Sequence, residues 1–170
     1  AWFAQDDAHP LLLAAGERGG GTCAVAGGRL RLYWRGVAHD LGAVAAMPLT
    51  VAGSAAYNIA NLAGAALLAA ALGIGVESIA AVCQHFGARR DDNPGRLERW
   101  RIGDVDVLVD YAHNPEGISG LLEVANRVRE QSGGRLGLLL GQAGNRDDHA
   151  IAELARAAAA GNPDLIVLKD

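Results

Sequence analysis

Asp106-Val107-Leu108-Val109-Asp110-Tyr111-Ala112-His113-Asn114-Pro115 holds the end of one element and the start of the next. Val107, Leu108 and Val109 form a short apolar run of the kind a buried strand uses. Asn114 followed by Pro115 is a helix start, because the Asn side chain caps free N–H groups and Pro fits the first helical position. The residues between them therefore lie in a strand-to-helix loop. In open α/β sheets ligands bind at the carboxyl ends of strands, which is where this loop sits.

The same unit recurs downstream. A helix runs from Pro115 to about Gln131, a second apolar strand covers 136–140, and a Gly-rich loop, Gly141-Gln142-Ala143-Gly144-Asn145-Arg146-Asp147-Asp148, leads into a helix from Asp148 to about Ala160. A third strand follows at 165–168. Short apolar strands alternating with helices predict an α/β fold with a mostly parallel sheet.

Upstream, Ala88-Arg89-Arg90-Asp91-Asp92-Asn93-Pro94-Gly95 is charged, poor in apolar residues and closed by Pro-Gly. It marks a boundary, with residues 1–90 in one domain and 91–170 in the next, and 88–95 as the hinge. Before it, two apolar helices are expected at 57–72 and 76–86, the first with Ser54 as a cap and Gly73 to Gly75 as a stop. Residues 1–50 read as β-rich. Segments 21–25 and 29–34 form a hairpin about Gly27-Gly28, whose glycines supply the positive φ of a two-residue turn.

Composition narrows the function. The 170 residues carry a formal charge of −4 and no basic block, which gives a nucleic-acid or anionic-membrane partner no electrostatic support. The apolar stretch 59–76 contains Asn61, Gly64, Gly73 and Gly75, so it reads as a buried helix rather than a membrane span. Cys23 and Cys83 form no CxxC or Cys/His cluster, which suits a reducing, cytoplasmic setting and predicts no metal site. The first residue is Ala1 and the one methionine is Met47, so a longer parent protein is expected.

Several residues are candidates for chemistry. Asp110 and His113 flank the loop beside a helix N-terminus, an arrangement suited to a ribose diol and to phosphate. A solvated loop acid and a plain helix start are the alternative. Asn58 and Asn61 are three apart on an apolar helix and share a face. Buried amides need partners, and an adenine edge or a neighbouring loop would serve. Arg96 is placed to reach a phosphate, or is a surface residue. The Gly-rich loop 141–148 is not GxGxxG, and the chain has no GxxxxGK[ST], HExxH or GxSxG.

In this order and spacing the segments resemble the Mur ligase superfamily, and within it the cyanophycin synthetase branch. Tyr57-Asn58-Ile59-Ala60-Asn61 is similar to the family's HNxxN helix, Pro94-Gly95-Arg96-Leu97-Glu98 to its GR(L/F)E segment, Asp110 to Pro115 to DYAHNP, and Gly144-Asn145-Arg146-Asp147 to its GDR(D) loop. Tyr57 replaces the usual histidine and Asn145 the usual aspartate.

The resemblance implies the end of a P-loop-type central ATPase domain followed by a truncated, Rossmann-like C-terminal domain. It implies ATP with Mg2+, the magnesium ligands lying outside this chain. Asn58 and Asn61 would meet adenine, Asp110 the ribose, and Arg96 and His113 the phosphates in catalytic roles. Asn145 and Arg146 would contact substrate. The implied reaction phosphorylates a carboxylate of a small molecule or peptide, which an amino acid then attacks to form an amide. Folylpolyglutamate synthases, muramyl-peptide ligases and a non-catalytic nucleotide-binding scaffold are the other readings, and the oligomeric state, a homo-oligomer included, stays open. The 170 residues alone are expected to be inactive.

Overall fold

The computed structural model describes residues 1–141 and 147–169. They divide into two compact units, Ala1–Asp92 and Asn93–Asp170.

The first unit is built on a four-stranded sheet of β1 (Trp2–Phe3), β2 (Thr22–Ala26), β3 (Arg29–Trp34) and β4 (Val37–Ala43) in that spatial order. Strands β2, β3 and β4 are antiparallel neighbours, whereas β1 runs parallel to β2. The expected hairpin is present. Ala26 pairs with Arg29, and Gly27 and Gly28 have φ of 56° and 73°. Positive φ at both central residues matches the twist of the flanking strands, which ordinary turns would splay. Between β1 and β2 lies α1 (Pro10–Glu17), a helix inside the stretch read as β-rich. Its signal is the capping pair: His9 accepts from the Leu11 N–H, and Pro10 occupies the first turn. The run Leu11-Leu12-Leu13 is too short for periodicity to tell helix from strand.

Two helices complete this unit, α2 (Ala56–Ala71) and α3 (Val76–His85). Ala55, not Ser54, holds the N-cap position of α2, and it makes no side-chain capping bond. Ser54 is instead buried in the preceding turn. The inner face of α2 presents Leu62, Ala63, Ala66, Leu67 and Ala70 to Cys23, Leu30 and Leu32 of the sheet. Three alanines in that face leave no long side chains to hold helix and sheet apart. The fully buried leucines Leu30, Leu32 and Leu41 each stabilise the unit by about 1.5–3 kcal/mol on area grounds. Cys23 and Cys83 lie in the same core as free thiols. Burial, with Cys83 nearby as a lesser cause, pushes the Cys23 thiol up to about 12, and burial also raises Cys83.

The second unit is mixed. Strand β5 (Glu98–Ile102) pairs antiparallel with β6 (Val105–Val109), and β7 (Gly137–Gly141) pairs in parallel with β8 (Leu165–Lys169). The parallel pair is of the kind expected. The antiparallel β5 is a strand that the sequence reading did not include. Arg99 and Arg101 beside Trp100 and Ile102 give β5 an alternating, half-polar pattern that a search for wholly apolar runs passes over. Helices α4 (Pro115–Ser132) and α5 (Asp148–Ala160) pack with β7 through Ile118, Leu122, Leu138, Leu154 and Ala158.

The entry to β8 is fastened to the entry of β7. The Asp164 carboxylate accepts from the Leu136 N–H at 2.7 Å, and Arg129 stands 3.5 Å away. These contacts, the backbone bond foremost, hold the Asp164 carboxyl below its ordinary range.

A carboxyl whose folded pKa is depressed contributes stability above the unfolded pKa and loses it as pH falls through the folded one. Urea titrations should therefore show wild type more stable than Asp164→Asn near neutrality. The gap should close below the ordinary carboxylate range, about pH 4. Packing gives a second expectation. A Cβ on Gly161 would lie 2.3 Å from Leu122 Cδ1 and 2.9 Å from its Cβ, so rotation of the leucine gives no relief. Gly161→Ala should cost about 1–3 kcal/mol by overpacking, read as a lower urea midpoint at unchanged slope.

Candidate functional site

The second unit brings three of the candidate residues together. Strand β6 ends at Val109, and Asp110 to Asn114 carry the chain to the first turn of α4. Ala112 packs against the core of this unit while Tyr111 stands largely exposed before it. One apolar anchor thus fixes the middle of a polar loop. Asn114 caps α4 as expected, its side chain accepting from the Gly117 N–H at 2.7 Å, with Pro115 in the first turn. A Cβ at Gly117 would meet the Asn114 side-chain Oδ1 at 2.8 Å, so glycine lets the cap close. Pro115 has no N–H and Asn114 takes that of Gly117, so neither Pro115 nor Gly117 leaves a free backbone donor at this helix start.

The candidate side chains come from the loop and from the segment before β5. The Asp110 carboxylate accepts from the Leu97 N–H at 2.8 Å. Leu97 has φ of 51°, a left-handed conformation that its side chain disfavours, and the Asp110 bond holds it there. Glu98 supports the same turn, accepting from the Gly95 N–H and from the Trp100 indole. Arg96, between them, places its guanidinium carbon 5.3 Å from the centre of the Tyr111 ring. That ring also meets the His113 imidazole edge-on, with centroids 5.6 Å apart. His113 Nδ1 is 3.0 Å from the Tyr111 carbonyl oxygen. A carbonyl only accepts, so Nδ1 carries the proton. The other ring nitrogen, Nε2, accepts in the neutral ring and donates in the imidazolium.

The remaining candidates lie elsewhere. Asn58 and Asn61 are on α2 in the first unit. Asn58 is buried and donates to the Leu49 carbonyl at 2.9 Å, which realises the neighbouring-loop partner considered for it. Asn61, three residues on, is exposed. Asn145 and Arg146 lie outside the described residues. Among the described residues no three His, Cys, Asp or Glu side chains stand together in a way that would hold a metal ion. Also among these, no helix is long and apolar enough to cross a membrane.

Sequence reading assigned no part to Tyr111 or Leu97. An aromatic between an acid and a histidine was visible for Tyr111. For Leu97 there was no signal, since a leucine gives no warning of a positive φ.

The capping bond gives a direct expectation. Asn114→Ala should destabilise the chain by about 1 kcal/mol, while Asn114→Asp should hold near wild type, both measured by urea unfolding.

Comparison with known proteins agrees with the motifs. Residues 95–170 match the family model described as Mur ligase, glutamate ligase domain. The chain is 37% identical over 105 residues to a cyanophycin synthetase of Crocosphaera subtropica, covering 62% of this chain and 12% of that protein. It is 31% identical over 171 aligned residues to a cyanophycin synthetase of Nostoc sp., covering 100% of this chain and 18% of that protein. A UDP-N-acetylmuramoyl-L-alanyl-D-glutamate--2,6-diaminopimelate ligase of Gloeobacter violaceus is 42% identical over 105 residues, covering 61% of this chain and 20% of that protein. The chain thus spans a fifth or less of the length of these three relatives.

Proposed function

Because the chain belongs to the Mur ligase superfamily, we propose that it serves an ATP-dependent ligase that joins a carboxylate to an amino acid through an acyl phosphate. Residues 1–92 are then the closing part of a central ATPase domain, and 93–170 the opening part of the C-terminal domain. The observation that carries this reading is the convergence of Arg96 and His113 on Tyr111, with Asp110 bonded to the N–H of the residue after Arg96.

A carboxylate is a poor electrophile. In the proposed reaction one of its oxygens attacks the γ-phosphorus of ATP, and the bond to ADP breaks. The amino nitrogen then attacks the acyl carbon, phosphate leaves, and the amide remains after loss of a proton. The protein's task in the first step is positioning and charge stabilisation. Arg96 suits the transferring phosphoryl group, because a planar guanidinium offers paired N–H donors to phosphate oxygens. His113 presents Nε2 for a further contact. Leu97 engages one oxygen of Asp110, and the carboxylate's second oxygen suits a ribose hydroxyl. Asn58 and Asn61 are assigned to adenine. Asn58 already spends one amide hydrogen on Leu49, so its remaining hydrogen and its oxygen are what it offers a base. Asn145 and Arg146 are assigned to the acceptor on sequence grounds. Mg2+ belongs with ATP in such chemistry. Among the described residues no cluster of His, Cys, Asp or Glu side chains is fit to hold it.

A cyanophycin-type acceptor is the preferred substrate. The match to the Nostoc protein spans 100% of this chain, whereas the diaminopimelate ligase matches span 61–73% of it. The test is phosphate release by the ligase containing this chain, with ATP and aspartate–arginine peptides, muramyl peptides or folates, each with candidate amino acids. Release confined to the aspartate–arginine peptides would support the reading. Release with another acceptor would reassign the branch, and none with any pair would remove the ligase function. In that assay Asp110→Ala should raise the apparent KM for ATP by about tenfold or more, the scale of losing a hydrogen bond to a charged group. Unchanged ATP kinetics would remove Asp110 from the nucleotide site.

A further inference from the structure

Tyr111 has no part in the reaction as described, yet both phosphate-directed side chains rest on it. It is 65% exposed, so it adds little to the core of its unit. Its ring faces the Arg96 guanidinium at 5.3 Å and the His113 imidazole at 5.6 Å. Its carbonyl oxygen is 3.0 Å from His113 Nδ1. Arg96 is itself exposed, on a long side chain that in open water would sample many rotamers. A guanidinium over an aromatic face is attracted to the ring quadrupole, and stacking leaves its in-plane N–H groups pointing outward.

The backbone is prepared in the same sense. The Asp110 bond to the Leu97 N–H fixes the residue after Arg96 in a left-handed conformation, and this sets where the arginine leaves the chain. Asp110 and Tyr111 are consecutive, so one loop holds Arg96 twice, by its neighbour's backbone and by its own side chain.

We propose that Tyr111 is a positioning residue that holds Arg96 with its ring and His113 with its ring and carbonyl, presenting the two as one phosphate-facing pair. This deepens the ligase reading and rests on it for the identity of the phosphate. The hydroxyl of Tyr111 takes no part, so a phenyl ring substitutes for it and an aliphatic side chain does not. The carbonyl is common to every variant. Loss of the ring therefore acts chiefly through Arg96.

The test pairs two measurements. In the ligase containing this chain, Tyr111→Leu should lower kcat/KM for ATP about tenfold, and Tyr111→Phe should stay within about twofold. In an Arg96→Ala background the further loss from Tyr111→Leu should shrink to about twofold or less, because the ring's principal client is gone. Unfolding midpoints of the Tyr111 variants should match wild type, which separates positioning from folding. The second measurement is the Arg96 Nε–Hε resonance in this 170-residue chain. Ring-current shift and restricted motion are expected in wild type and Tyr111→Phe, and both should be lost in Tyr111→Leu.

A Phe variant as impaired as the Leu variant, additive losses in the Arg96→Ala background, or an Arg96 resonance indifferent to the ring would each overturn the proposal. Wild type without ATP-dependent phosphate release would instead sink the ligase reading. The resonance measurement would then still decide whether Tyr111 holds Arg96.

Discussion

Leu97 occupies backbone space that a leucine side chain disfavours, and a hydrogen bond from its N–H to the Asp110 carboxylate helps to hold it there. The candidate site depends on that constraint. Without it the turn before β5 would relax toward negative φ, and Arg96 would leave the chain in another direction. The bond joins the segment entering β5 to the loop leaving β6, so the two ends of one hairpin are fixed where the candidate side chains emerge. Asp110 is therefore structural before it is anything else, and its use toward a ribose would be added to a bond it already makes.

The loop after β6 shows how a short sequence serves two ends at once. Ala112 goes inward to the core, while Tyr111 and His113 go outward, one on each side of it. Asn114 and Pro115 start the helix immediately. The cap consumes one backbone donor of the helix start, and the side chains of Arg96, Tyr111 and His113 stand together beside the same loop.

Much of this was legible. Val107 to Val109, Asn114-Pro115 and the apolar run at 136–140 announced strand, helix and strand, because apolar strand runs and capped helices have local signatures. Gly27-Gly28 announced its turn for the same reason. The rest was decided by partners distant in sequence. Strand β5 is polar on alternate residues and is defined by its pairing with β6, and α1 is a short apolar helix whose clearest mark is its cap. Within the site, Asp110, Arg96 and His113 were visible as residue types, but the positive φ of Leu97 and the central place of Tyr111 arise from geometry that no single residue encodes. Asn58 shows the reverse case, in which a bland option weighed from sequence, a bond to a nearby loop, is what the side chain makes.

The two thiols of the first unit have a consequence for chemistry at the bench. Cys23 and Cys83 are the whole cysteine content of these 170 residues, and both are buried and held in the protonated form. Maleimides and iodoacetamides react with thiolate, so at neutral pH both native sulfurs are poor targets while the fold is intact. One cysteine introduced on an exposed turn such as Asp104 would then be the preferred attachment point for a fluorophore or spin label, in a background with its own thiols left in place.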